Sequence, residues 1–292
     1  MAANGGSLIY RPGQTVTGSR TTNDTSLFFS EQQIPVNGDT VRELHFSLGP
    51  STDTTNSLDN ITNIQVKGGA IPFIDCSPAQ LACYMSYYGK RSLWEFESPS
   101  GTGPVSNHQQ AFVLPLHWGR GYGAPPGVQL AITLTKNSTM GTTSAPTLTL
   151  HEGINPVQPA NGYLNLIAQS YAIGASRNNF AININQPGNL RGIIVPTPLN
   201  LSLFRLRTAQ GIIAEFQGDS VSGNNPLIWS QELYQGNPVA PVEANANPYM
   251  YFAIPEPLVQ PVAVGVTTLE VSTTASWTDQ KWVFVTSYDR QK

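Results

Sequence analysis

Charge is what this chain has least of. Only 11% of its 292 residues are Asp, Glu, Lys or Arg, less than half of the roughly 25% usual in a soluble domain. The 15 basic residues are balanced by 18 acidic ones, for a net charge of -3. That balance removes any general electrostatic reason to hold nucleic acid or anionic lipid. Cysteine is nearly missing as well, with Cys76 and Cys83 alone. If the segment between them is helical, they stand about 10 Å apart along the axis, beyond disulfide reach, and both read as buried apolar residues. No run of about twenty apolar residues offers a membrane-spanning helix. Met1–Ser7 has neither the basic start nor the apolar stretch of a secretory signal, so export by that route is not expected.

Catalytic patterns are equally scarce. His45, His108, His117 and His151 fall at unrelated spacings, none near another or a Cys at metal-ligand distance in sequence. Asp53, Asn56 and Asp59 lack the alternating oxygens, central Gly and closing Glu of an EF-hand loop. The segment Gly218–Gly223 has the wrong glycine spacing for a nucleophile elbow. Glu95 and Glu97, two apart on a strand, share a face, whereas glycosidases set two carboxyls across a cleft. The Gly-rich stretch Trp118–Pro126 has neither the Lys-Ser/Thr ending nor the following helix of a phosphate loop. Sequons at Asn23, Asn60, Asn137 and Asn200 are the chance yield of an Asn- and Thr-rich chain. The expectation is a protein that is not an enzyme, with no cofactor, no metal site and no small-molecule substrate.

What the chain does have is strand periodicity, repeated from end to end. In Val128–Thr135, Val128, Leu130, Ile132 and Leu134 alternate with Gln129, Ala131, Thr133 and Thr135, the pattern of a strand with one face on a core. Leu44, Phe46 and Leu48 repeat it before Gly49-Pro50, as do Phe112, Leu114 and Leu116, and Phe180, Ile182 and Ile184. A strand with a bulge or bend at Gly68-Gly69 is expected over 61–74, and another strand over 262–271. In Leu199–Arg207, Leu199, Leu201 and Leu203 share a face with Arg205 and Arg207, so that face should leave the core near its end. Lys281–Tyr288 is apolar on both sides and should be covered on both. One short helix is expected after Ser77, with Ser77 as cap, Pro78 in the first turn and Gln80 placed for a capping box. Residues 1–40 read as an extended N-terminal arm with short strands. Residues 41–292 read as a barrel core whose insertions form a second barrel. Trp118–Pro126 reads as an irregular loop holding aromatics at a surface, and 236–248 as a long Pro-rich excursion.

About fourteen candidate strands, Pro/Gly-rich connections and one helix predict an all-β protein: a jelly-roll β-barrel with a second, smaller β-barrel or turret. The low-charge Asn/Thr/Gln-rich composition, the arm, the capped helix at Ser77–Tyr88 and the Pro-rich excursion resemble the larger major capsid protein of tailless icosahedral bacteriophages with an internal membrane. In particular they resemble the Thermus-infecting type, of the vertical single β-barrel lineage. The resemblance implies a structural subunit of a viral shell around a membrane and double-stranded DNA, synthesised in host cytoplasm and located in the virion. Its partners would be other capsid subunits, including a second, smaller major capsid protein, with no specific nucleic acid contact. Candidate subunit contacts are Trp118, Arg120, Tyr122, Pro125 and Pro126. Candidate basic contacts, toward a partner or the internal viral membrane, are Lys90, Arg91, Arg205 and Arg207. So little charge leaves little room for the ion-pair networks of hot-living organisms, so stability would rest on packing, prolines and assembly. The alternative is a carbohydrate-binding jelly roll or phage receptor-binding protein, with Trp118, Tyr122 and Trp229 stacking on sugars.

Overall fold

The computed structural model describes residues 9–17, 27–35, 40–51, 60–78, 80–81, 84, 95–97, 108–123, 129–140, 145, 147–155, 162–173, 180–196, 201–217, 249–254, 259–273 and 277–289. These residues form eighteen strands and one short helical stretch. The chain divides into two units. The first takes Met1–Leu81, Arg91–Leu164 and Arg290–Lys292; the second takes Ala82–Lys90 and Asn165–Asp289.

The first unit holds β1 (Ile9–Thr17), β2 (Leu27–Pro35), β3 (Thr40–Ser51), β4 (Ile61–Gly68), β5 (Ile71–Cys76), β6 (Glu95–Glu97), β7 (His108–Pro115), β8 (His117–Gly123), β9 (Gln129–Lys136), β10 (Thr147–Asn155) and the start of β11 (Gly162–Ile173). Its strands form antiparallel ladders. In one, β3 lies between β10 and the pair β7 and β8, with β1 beyond β10 and β6 beyond β7. In the other the order is β5-β4-β9-β2. Neighbours such as β1 and β10, or β2 and β9, are remote in the chain, which is the wrapping of a jelly roll.

Alternation decides which side chains enter the core. Leu130, Ile132 and Leu134 of β9 are all fully buried, as are Ile64 and Val66 of β4 and Ile74 and Cys76 of β5. On the other ladder Leu44 and Phe46 of β3, Leu148 and Leu150 of β10 and Leu114 of β7 are buried. β3 runs on through Gly49-Pro50 to Ser51, where a register shift between Leu48 and Ser51 accommodates the proline within the ladder. The expected bend at Gly68-Gly69 is instead a hairpin. Gly69 adopts φ 61°, open to glycine at little cost, and its N–H donates to the Gln129 carbonyl at 3.1 Å.

Ser77 starts the helix as its sequence dictates. The Ser77 N–H donates to Gln80 Oε1 at 2.9 Å and the Gln80 N–H donates to Ser77 Oγ at 3.3 Å, a reciprocal capping box. Gln80 and Leu81 are fully buried. Cys76 is buried as expected; Cys83 lies outside the described residues.

The second unit contains the rest of β11 and β12 (Phe180–Asn183), β13 (Asn189–Pro196), β14 (Leu201–Thr208), β15 (Gly211–Gln217), β16 (Tyr249–Ala253), β17 (Thr268–Thr273) and β18 (Trp277–Asp289). One ladder runs β16-β13-β18 and the other β12-β17-β14-β15, again antiparallel. Their inner faces meet in a single core that includes Ile193, Val195, Trp282 and Phe284 from the first ladder and Ile182, Leu206, Leu269 and Val271 from the second. Phe204 and Phe252 stack across it with ring centroids 4.5 Å apart and planes 15° from parallel. Val283 and Val285, on the opposite face of β18, are also fully buried, so this strand is covered on both sides as its sequence predicts. Tyr84 packs edge-on against Tyr251, with centroids 5.7 Å apart.

In β14 Phe204 and Leu206 fill the core, while Leu203, also buried, shares the other face with the half-buried Arg205 and the exposed Arg207, so that face leaves its buried surroundings toward its end as expected. One expectation for this unit is corrected. The stretch 262–267 is turn and loop, and β17 begins only at Thr268. Gly265 takes φ 77° there, the Ala263 N–H donates to Thr267 Oγ1 at 2.9 Å, and the Thr267 N–H donates back to the Ala263 carbonyl at 2.8 Å. These local bonds compete successfully with strand pairing.

Candidate interaction surfaces

The stretch expected as an aromatic loop is largely a strand. Trp118, Arg120 and Tyr122 sit in β8, which pairs with β3 through Val41 and Tyr122 and with β11 through Gly162 and Gly121. Glycine disfavours strands only weakly when neighbours on both sides supply hydrogen bonds, and here both do. The side chains of Trp118, Arg120 and Tyr122 lie outside the described set, as do Pro125 and Pro126 altogether. Lys90, Arg91, Trp229, the calcium-like loop with Asp53, Asn56 and Asp59, and the excursion 236–248 also lie outside the described residues.

Arg205 and Arg207 are placed, and they are paired. Arg205 of β14 stands in register with Glu215 of β15 on one side and Glu270 of β17 on the other. Its Nε donates to Glu215 Oε2 at 2.7 Å and its Nη1 to Glu270 Oε2 at 3.0 Å. Arg207 Nε reaches Glu270 Oε1 at 3.1 Å. The hydrogen bonds to Glu215 and then to Glu270 push the Arg205 guanidinium above its ordinary pKa. Two arginines and two carboxylates thus make one cross-strand ladder on the outer face of the sheet, locally near neutrality. Periodicity finds the arginines; the carboxylates, on other strands, are visible only once register is known.

Exposed apolar side chains cluster at chain reversals. In the second unit Ile212, Val264 and Val266 are exposed, beside Gly211 and Gly265 at positive φ. Gln260 Nε2 donates to Gln210 Oε1 at 3.0 Å, tying the two turns together. In the first unit Ile71 is 72% exposed, next to the hairpin turn at Gly69. Isolated apolar residues of this kind are ordinary on a surface, and sequence alone had assigned the valines to a strand.

Chemistry-bearing groups are otherwise occupied. The Cys76 thiol is fully buried, and burial first, then the neighbouring Asp75 charge, push its pKa up, so it is not a nucleophile at neutral pH. The Asp75 carboxylate accepts from Asn63 Nδ2 at 2.8 Å and Gln65 Nε2 at 2.7 Å. Asn137, in one of the sequons, donates its amide to Asn60 Oδ1 at 2.7 Å and accepts from the Thr139 and Met140 N–H groups. Among the described side chains no group of three His, Cys, Asp or Glu is gathered to hold a metal. No helix among the described residues is long and apolar enough to cross a membrane.

Two antiparallel β units define an all-β protein of jelly-roll type. No protein-family model matches the chain, and no curated protein does. Solved structures do. A chain in the atomic structure of the Sulfolobus turreted icosahedral virus aligns with 97% of this chain and 91% of its own, at TM-score 0.64 and 14% identity. The crystal structure of the STIV major capsid protein (MCP) aligns over 96% and 97% of the two chains, at TM-score 0.59 and 13% identity. The major capsid protein P2 of bacteriophage PM2 aligns over 96% and 98%, at TM-score 0.56 and 9% identity. At such identities the likeness is one of fold, and it runs through both units.

Proposed function

We propose that this chain is a major capsid protein, a structural subunit that builds an icosahedral viral shell and carries no catalytic role. The observation that supports it most is the extent of the fold match: 97% of this chain against 91% of a chain in an icosahedral virus, at TM-score 0.64. Two features of the chain agree with that reading. Its surface is poor in charge, so repeated contacts between copies desolvate few ions. Arg205 and Arg207 already have carboxylate partners, and Arg191 donates to the Ser287 hydroxyl.

The finer reading is that the subunit belongs to a tailless phage of the Thermus-infecting type, assembles with a second, smaller major capsid protein, and lies over an internal membrane. Trp118, Arg120, Tyr122, Pro125 and Pro126 are its proposed subunit contacts, and Lys90 and Arg91 its proposed basic contacts with lipid. Arg205 and Arg207 serve less well in that role, because a lipid phosphate must compete with Glu215 and Glu270 for them.

Negative-stain electron microscopy with light scattering, on the purified protein alone and with virion lysate fractions, tests the main reading. Rings, sheets or shells are the expected result. A chain that stays monomeric in every salt, pH and lysate condition while responding to a glycan array would overturn it. Flotation with anionic vesicles tests the finer reading: Lys90→Ala with Arg91→Ala should lose lipid binding, and unchanged flotation rejects the contact.

A further inference from the structure

One exposed apolar side chain is ordinary on a surface, as Ile71 is in the first unit. The second unit gathers several in one place. Among its described residues Ile212, Val264 and Val266 stand exposed, Val264 at 70%, on two turns joined by the bond from Gln260 Nε2 to Gln210 Oε1 at 3.0 Å. Both turns are held from beneath. Ile213 of β15, and Val259 and Val262 of the loop before β17, pack on the core, which leaves Ile212, Val264 and Val266 outside. Polar groups of the turns are used within them: the Gln210 N–H donates to Thr208 Oγ1 at 3.2 Å, and the Val266 N–H to the Ala263 carbonyl at 3.0 Å. The outer side is open, since a Cβ built at Gly211 or Gly265 would meet nothing within 4 Å. Such a fixed apolar surface loses little conformational entropy on being covered.

We infer that this turn cluster is a contact between copies of the chain, packing on the same cluster of a second copy about a two-fold axis. The contact rests on the reading of the chain as a shell subunit. Charge selects the partner. Residues 208–214 and 259–269 contain no Asp, Glu, Lys or Arg, and Arg207, opposite Ile212 in register, is bonded to Glu270. A charged partner finds nothing to pair with here, whereas an uncharged surface meets its own copy without repulsion. The same stretches hold no Trp, Tyr, Lys or Arg, the side chains that fix a segment at a bilayer surface. Size selects the kind of contact. A stable pairwise interface takes about 800 Å² from each partner, more than three aliphatic side chains supply. Alone the contact is therefore weak, and it gains strength where other contacts hold many copies side by side, as in a shell. A two-fold arrangement uses the one patch twice and needs no second, complementary surface.

Sedimentation velocity on the purified full chain, over a wide range of concentration, tests the contact. The native chain should show a reversible monomer–dimer equilibrium. Val264→Asp and Ile212→Asp should weaken it about tenfold or more, because each buries a carboxylate without a partner, while Ile71→Asp should leave it unchanged. Urea denaturation of each variant checks its folding, and Val264→Ser, expected to act in the same direction, replaces Val264→Asp should that variant not fold. A native chain that stays monomeric at every concentration, or equal weakening in Ile71→Asp, overturns the contact. So does flotation with phosphatidylcholine vesicles by the native chain and not by Val264→Asp, which would place the cluster on lipid. Electron microscopy of the same samples separates this contact from the shell reading. Shells formed equally by the native chain and Val264→Asp overturn the contact and keep the reading, whereas dimers that never build rings, sheets or shells keep the contact and overturn the reading.

Discussion

The ring of Tyr251 lies directly on the backbone of Gly192. A Cβ built at Gly192 would come within 2.3 Å of Tyr251 Cε2, and the Tyr251 hydroxyl donates to the neighbouring Arg191 carbonyl at 3.3 Å. The same carbonyl accepts the Ile254 N–H at 2.8 Å, and Arg191 Nε donates to Ser287 Oγ at 2.7 Å. Tyr251, β13 and β18 are therefore fitted together around a position with room only for hydrogen.

Gly192→Ala should accordingly destabilise the second unit by about 1–3 kcal/mol, the range for overpacking a well-filled interior. Urea denaturation measures it. Tyr251→Leu in the same background should recover part of the loss, so the double variant falls short of the sum of the singles. A Gly192→Ala protein as stable as the native one would mean that the ring moves aside freely.

The ion ladder makes a prediction about rank. Glu270 serves both Arg205 and Arg207, whereas Glu215 serves Arg205. Glu270→Gln should lower the urea midpoint more than Glu215→Gln, and the gap should narrow in 1 M salt, which screens partly exposed charges. The raised Arg205 pKa means that its contribution is complete below the ordinary arginine value and fades only above it. Salt, and not mild alkali, is the condition that reveals it. Equal midpoints for the two variants would reject the shared role of Glu270.

How far the sequence could be read follows from the range of each interaction. Alternation exposed the core face of β9, with Leu130, Ile132 and Leu134 buried, and the double covering of Trp282–Val285, because both depend on neighbours two residues away. The capping box at Ser77 and Gln80 was legible for the same reason. What failed depended on partners elsewhere in the chain. Pairing with β3 and β11 made a strand of a glycine-rich stretch. The Glu215 and Glu270 partners of Arg205, 10 and 65 residues away, carry no local signal at all.

The capping box offers a test that is local in both sequence and structure. Ser77→Ala removes the acceptor for the Gln80 N–H, and a lost cap of this kind costs about 1 kcal/mol. Gln80→Ala should cost more, because the Gln80 side chain is fully buried and its removal both opens a void and deprives the Ser77 N–H of its acceptor. Thermal melting of the two variants checks the order. A larger loss for Ser77→Ala would show that the Gln80 side chain is easily replaced.

Cys76 predicts how the protein responds to alkali. Its thiol is completely buried, and burial first, then the Asp75 charge, hold its pKa above the ordinary 9.0. Below pH 9 the thiol is neutral in both folded and unfolded chains and contributes no pH dependence. Above pH 9 the unfolded chain loses this proton while the folded chain keeps it, so ionisation draws the equilibrium toward unfolding. The native protein should therefore lose stability by up to about 1.4 kcal/mol per pH unit from this one group, before other groups add their own slopes. Cys76→Ala should be less stable at pH 7, through the void it leaves at the β4–β5 face. Its stability should nevertheless decline less steeply between pH 9 and 10.5, because the unfolded variant has one fewer thiol to ionise. Urea titrations of the two proteins across that interval separate the effects: the intercept reports packing, and the difference in slope reports the buried thiol. Parallel slopes would mean that Cys76 meets solvent in the folded protein.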